Sequence, residues 1–73
     1  MAKINLKSDI NGAVWKLIAQ PGQVVEPGGT LLIIESMKME IPVIAEDGGT
    51  VEAITVKEGD LVATGQVVAI LEV

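Results

Sequence analysis

The sequence predicts an all-β fold, a flattened β-barrel or sandwich of two small antiparallel sheets related by an internal pseudo-two-fold repeat. Three observations carry this. Short apolar runs rich in Val, Ile and Leu recur between Gly- and Pro-containing turns, and no segment sustains a helical period. The chain repeats itself at a spacing of 37 residues. Its length of 73 residues holds one small core and leaves no room for a second, so 1–73 reads as a single domain.

Lys3-Ile4-Asn5-Leu6-Lys7 alternates polar and apolar residues, the period of a half-buried strand. Ser8-Asp9-Ile10-Asn11-Gly12 is turn chemistry. Gly12 to Ala19 reads as a second strand. Gln20-Pro21-Gly22-Gln23 and Glu26-Pro27-Gly28-Gly29 turn the chain twice, and Thr30 to Glu35 is extended again.

Shifting the register by 37 residues then places Gly12 on Gly49, Val14 on Val51, Gly22 on Gly59, Val25 on Val62, Gly28 on Gly65, Ile33 on Ile70 and Glu35 on Glu72. From residue 12 to 35 the match needs no gap and gives seven identities in 24 positions, three of them glycines at turns. The chain is two copies of one supersecondary unit. In both copies the apolar spacing after Gly-x-Val runs three and then two, where a strict pleat needs two throughout. One extra residue near Trp15-Lys16 and near Glu52-Ala53 therefore predicts a β-bulge in each copy. The bulge would bend each strand and turn Trp15 and Glu52 outward together. Trp15 is then a surface or half-buried residue, a lid on apolar surface or a partner contact. Equivalent points of the two halves fall at opposite ends, so the end of the first copy, beyond Glu35, should lie across the molecule from the chain termini.

That first copy ends in Glu35-Ser36-Met37-Lys38-Met39-Glu40, between the apolar runs Leu31–Ile34 and Ile41–Ile44. This is the pattern of a hairpin with Lys38 at its tip. A lysine at a turn is ordinarily a solvated charge. Here its neighbours are two methionines, where exposed turns normally carry Gly, Asn, Asp or Ser, and nothing in the repeat demands a cation. Methionines offer adaptable surface to a protein partner. One of Met37 and Met39 is expected to point inward and the other to be more exposed.

Composition excludes several classes of function. There is no Cys and no His, which removes disulfides, thiolate chemistry and the commonest general base and metal ligand. Ser8 and Ser36 have no visible base partner, and the acidic pairs Glu46-Asp47 and Glu58/Asp60 look like turn residues, so no catalytic residue and no metal site is assigned. The net charge is −5, with five lysines and no arginine, which argues against nucleic acid. The longest uninterrupted apolar run is Val67 to Leu71, far short of the roughly 20 residues of a membrane helix, so no membrane association is expected. Absence of Cys and of a targeting signal points to a cytoplasmic compartment. The opening Met suggests a free-standing protein, with an excised module as the alternative.

Glu35-Ser36-Met37-Lys38-Met39 closely resembles the biotin attachment motif of biotin carboxyl carrier proteins, Glu-Ala-Met-Lys-Met. The resemblance extends over essentially the whole chain. Gly12-Ala13-Val14-Trp15-Lys16-Leu17 looks like the family's first Gly-x-Val strand, and Lys57-Glu58-Gly59-Asp60-x-Val62-x-x-Gly65 like its second-half turn. Ser36 stands where alanine is usual, a small-for-small change. Ser8-Asp9-Ile10-Asn11-Gly12 replaces the Ser-Pro-Met-Pro-Gly opening of many relatives. The gapless repeat leaves no place for the protruding insertion that some carriers have.

The resemblance implies a barrel-sandwich hybrid with biotin as covalent cofactor on Lys38, and with Met37, Met39, Glu35 and Ser36 as its immediate setting. It implies three partners. A biotin protein ligase forms the amide, a biotin carboxylase loads the carboxyl group, and a carboxyltransferase passes it to an acceptor. The chain would act as a tether that raises local concentration, without catalysis of its own. Glu35 and Glu40 would help a basic ligase surface dock or repel wrong surfaces; as ordinary strand-end charges they would do neither. Two alternatives stand beside this. A lipoyl carrier resembles it in fold, although such domains usually have Asp-Lys-Ala around the lysine. An unmodified β-barrel interaction module is the other.

Overall fold

Eight strands form among the described residues, 2–73, of the computed structural model; Met1 lies outside them. They are β1 (Lys3–Lys7), β2 (Gly12–Leu17), β3 (Val24–Val25), β4 (Gly29–Ser36), β5 (Met39–Ala45), β6 (Gly49–Ile54), β7 (Leu61–Val62) and β8 (Val67–Glu72). They pair as two four-stranded antiparallel sheets, one in the order β1-β8-β6-β3 and the other β5-β4-β2-β7. Adding 37 to the numbers of the first four strands turns β1 into β5, β2 into β6, β3 into β7 and β4 into β8. The same operation carries one sheet order onto the other, which is the pseudo-two-fold axis in topological form.

The repeat reaches further than the sequence shows, because β1 and β5 are mates although only Ile4 and Ile41 are identical between them. The side chains that fill the space between the sheets obey it pair by pair. Val14 and Val51, Ala19 and Val56, Val25 and Val62, Leu31 and Val68, Leu32 and Ala69, and Ile34 and Leu71 are all buried. Ala45 is buried too, and its mate is Ser8, 1% exposed. Ser8 stays in an apolar site because its hydroxyl donates to the Ile10 carbonyl at 2.6 Å and accepts from the Ile10 N–H at 3.3 Å. The turns are duplicated as well. Gln20 N–H donates to the Gln23 side-chain oxygen at 3.2 Å, and Lys57 N–H donates to the Asp60 carboxylate at 2.9 Å.

Both expected bulges are present. Register shifts between Val14 and Lys16 on β2 and between Val51 and Ala53 on β6, leaving Trp15 and Glu52 as the extra, outward-facing residues. Trp15 is 48% exposed, a surface residue as the spacing implied. A second duplicated bulge is present that the sequence did not announce. Leu31 and its mate Val68 are each skipped in the pairing of β4 with β5 and of β8 with β1. The Leu31 carbonyl accepts from both Ile18 and Ala19 N–H, each at 2.9 Å, so β2 leaves the ladder at Leu17 rather than running to Ala19. Where β2 begins, the chains are so close that a Cβ on Gly12 would overlap the Glu35 carbonyl oxygen; Gly49 stands in the same way against Glu72.

The molecule is 36 Å long and 17 Å across. Strand β5 runs away from the β4–β5 turn and ends at Ala45, whose carbonyl accepts from Gly28 N–H at 2.7 Å. Gly49, just beyond, packs on Glu72 and Val73, and Ala2 and Val73 exchange backbone hydrogen bonds at 3.1 and 2.9 Å. The termini therefore lie at the opposite end of β5 from the turn, as the repeat predicts.

Candidate functional site

Beyond the Leu31 bulge, strands β4 and β5 stay in register to their last pair, Ser36 opposite Met39, so the connecting turn holds only two residues, Met37 and Lys38. Both have positive φ, 52° and 65°. That is the pattern of a type I′ turn, whose twist matches the strands it joins and whose usual occupants are Asn and Gly. A side chain in the left-handed region costs about 1–2 kcal/mol per residue. Two such residues in succession at the tip store strain that Asn-Gly would avoid.

Pairing decides where each neighbour points. Leu32, Ile34 and Ser36 lie along the inner face of β4, with Val43, Ile41 and Met39 opposite them on β5. Ser36 closes the inner row of β4 and is 9% exposed, which suits a small side chain. Glu35 and Glu40 face each other on the outer side of the sheet, both exposed. Met37 is 91% exposed and Met39 59%. Met39 has inner-face register and is the less exposed of the two, as expected of one methionine, but the hairpin has passed the end of the core there, so it stays more than half exposed and neither methionine fills the core.

Lys38 is exposed at the apex, and the one ion pair among the described residues is elsewhere, between Lys3 and Glu52 at 2.7 Å. An amine held out this way has steric access on all sides and no internal partner to displace, which fits acylation by another protein's active site. The setting is not a pocket. A cleft of about 470 Å³ runs between β1 and β5, lined by Ile4, Leu6, Ile41 and Val43, and neither Lys38 nor either flanking methionine borders it. We give it no part in this site, because the chemistry-bearing residue is on the turn. No cluster of three or more acidic residues able to hold a metal ion occurs among the described residues. The feature that single-residue inspection of the sequence underweights is the direct opposition of Glu35 and Glu40, which only the register reveals.

Comparison with known proteins places this hairpin in context. The family described as biotin-requiring enzyme, a biotin- and lipoyl-attachment family, matches residues 6–71. The biotin/lipoyl attachment protein of Bacillus subtilis (strain 168) is 45% identical over 56 residues, 77% of each chain. The crystal structure of Kluyveromyces lactis urea carboxylase contains a region that superposes with a TM-score of 0.92 at 39% identity, covering 99% of this chain and 6% of that one. The lipoyl domain of the Azotobacter vinelandii 2-oxoglutarate dehydrogenase complex superposes with a TM-score of 0.75 at 25% identity, covering 92% of this chain and 95% of that one.

Proposed function

Since the chain belongs to the biotin/lipoyl attachment family, we propose that it is a cytoplasmic biotin carboxyl carrier whose Lys38 is joined to biotin by an amide. The observation that carries this is the tip itself. A two-residue turn that geometry would fill with Asn-Gly instead holds Met-Lys, with the lysine as its one cation and a methionine on either side.

Like the carrier domains of biotin-dependent carboxylases to which it is homologous, the chain is a component without catalysis of its own. Its partners are a biotin protein ligase, a biotin carboxylase and a carboxyltransferase. Biotin, once attached, supplies a ring that accepts and releases an activated carboxyl group. The chain's own residues do three things. Lys38 Nζ, its ammonium shedding two protons, would attack the carboxyl carbon of a biotin acyl group that the ligase has activated and expel its leaving group, so forming the amide and losing its charge. The hairpin holds that nitrogen clear of the sheet, so that separate active sites can approach it without strand rearrangement. The paired bulges and duplicated core keep the base of the hairpin rigid, so the flexibility lies in the lysine side chain and its attachment, which raises the local concentration of the reactive end.

Intact mass after co-expression with a biotin protein ligase and excess biotin tests this, with Lys38→Ala as control. One biotin increment that vanishes in Lys38→Ala is expected. A lipoyl increment under a lipoate ligase, without a biotin one, would make the chain a lipoyl carrier, the second reading that the Azotobacter likeness favours. No increment from either would leave an unmodified binding module.

A further inference from the structure

The two sheets are copies, so each is a control for what the fold requires of the other. Their inner faces match position by position. Their outer faces do not. On the β1-β8-β6-β3 sheet, Lys3 stands opposite Glu72 and bonds Glu52, with Asn5 and Lys7 further along β1. The mates of these residues on the other sheet are Glu40 opposite Glu35, Trp15, Pro42 and Ile44. An opposite-charge pair has become a like-charge pair, and three polar positions have become apolar. Trp15 is 48% and Ile44 40% exposed. One position runs the other way, Lys16 for Ala53, and the exposed Leu61 and its mate Val24 are alike.

Folding demands none of these differences, since the first sheet forms with the same register without them. Like charges directly opposite on a strand pair are unfavourable, and an exposed Trp keeps apolar surface in water. All of them fall on one face, and its charged end reaches the turn, because Glu35 and Glu40 are one strand position from it; Ile44 marks the far end of the face.

We propose that the outer face of the β5-β4-β2-β7 sheet, with Trp15, Pro42 and Ile44 as its apolar part and Glu35 and Glu40 as its charged end, is the docking surface for the enzyme that acylates Lys38. The complementary surface is an apolar patch bordered by Lys or Arg. This rests on the carrier reading of Lys38. The acylating enzyme is the partner that this geometry selects. It must bring its reacting atoms to Nζ itself, so it covers the turn and the sheet beside it. An enzyme acting on the far end of the attached group meets the chain an arm's length away.

The test replaces residues of this face by their own mates, which the fold already accepts. Initial rates of biotin transfer by a biotin protein ligase are measured over a range of carrier concentrations for the full chain, Trp15→Glu, Ile44→Lys and Glu40→Lys. Lys7→Ile on the opposite sheet is the control, and thermal melting checks that each variant is folded. Desolvated Trp contacts commonly dominate interfaces, so Trp15→Glu should raise KM for the carrier about tenfold or more with kcat little changed. Ile44→Lys and Glu40→Lys should raise it severalfold, and Lys7→Ile should leave it within about twofold. The Glu40→Lys effect should shrink at high salt. Ile44→Lys and Glu40→Lys keep the test decisive should Trp15→Glu fail to fold. A wild-type chain that is fully labelled while all folded face variants keep its KM overturns the docking surface alone. A wild-type chain that takes no biotin overturns the carrier reading and the docking surface with it.

Discussion

Strain at the turn predicts that an unmodifiable chain can be more stable than the natural one. Lys38 sits at φ 65°, where a side chain costs about 1–2 kcal/mol and glycine costs nothing. Glycine also loses about 0.5–1 kcal/mol more backbone entropy on folding than alanine. Lys38→Gly should therefore exceed Lys38→Ala by about 0.5–1 kcal/mol, since both remove the amine and only the second keeps the Cβ. A domain of 73 residues has a total stability of about 4–11 kcal/mol, so the difference is measurable. It corresponds to about 2–8 °C in melting temperature. The assay is paired urea and thermal unfolding by far-UV circular dichroism. Coincident curves, or a more stable Lys38→Ala, would refute the claim that the tip is strained, and with it the idea that Met-Lys is kept there against the preference of the turn.

Two further outcomes follow from the duplicated core and from the ion pair. Leu31→Ala should destabilise by about 2–5 kcal/mol, approaching the whole stability of the domain, whereas the mate substitution Val68→Ala should cost less because it removes fewer carbons; urea titration separates them. The hydrogen bond from Lys3 to the Glu52 carboxylate, and the attraction of that charge, hold the Lys3 ammonium above its ordinary pKa. A raised folded value means stability that is fully present below the unfolded lysine value, near 10.4, and lost as pH rises through the folded value. The melting difference between wild type and Lys3→Gln should therefore stay constant from neutral pH to about 10 and close above it, as melting across that range would show.

Much of the architecture was legible because the repeat leaves two copies of each signal. The three-then-two spacing around Trp15 and Glu52 located a bulge in each copy, and the apolar runs around Lys38 located the hairpin. The bulges at Leu31 and Val68 were hidden because both lie inside continuous apolar runs, Leu31–Ile34 and Val67–Leu71, where no alternation marks which residue is skipped. The kinship of β1 with β5 was hidden because their outer faces have diverged to Lys3, Asn5 and Lys7 against Glu40, Pro42 and Ile44 while only the inner residues stay alike. The exposure of Met39 could not be read from polarity. It depends on where the core ends along the hairpin, which is a matter of three-dimensional length and not of residue type.

The opposite placement of the termini and the turn has a mechanical consequence. A peptide joined to Ala2 or Val73 would grip the molecule by the pole farthest from Lys38. Pivoting about that pole, the rigid body itself becomes a boom up to 36 Å long, with the lysine near its swinging end. Travel of a group carried on Lys38 would then be the sum of two motions of different stiffness. A leash moves the boom between stations, and the lysine side chain makes the final approach. Attachment by the other pole would have cancelled the first motion and buried the second beneath the leash.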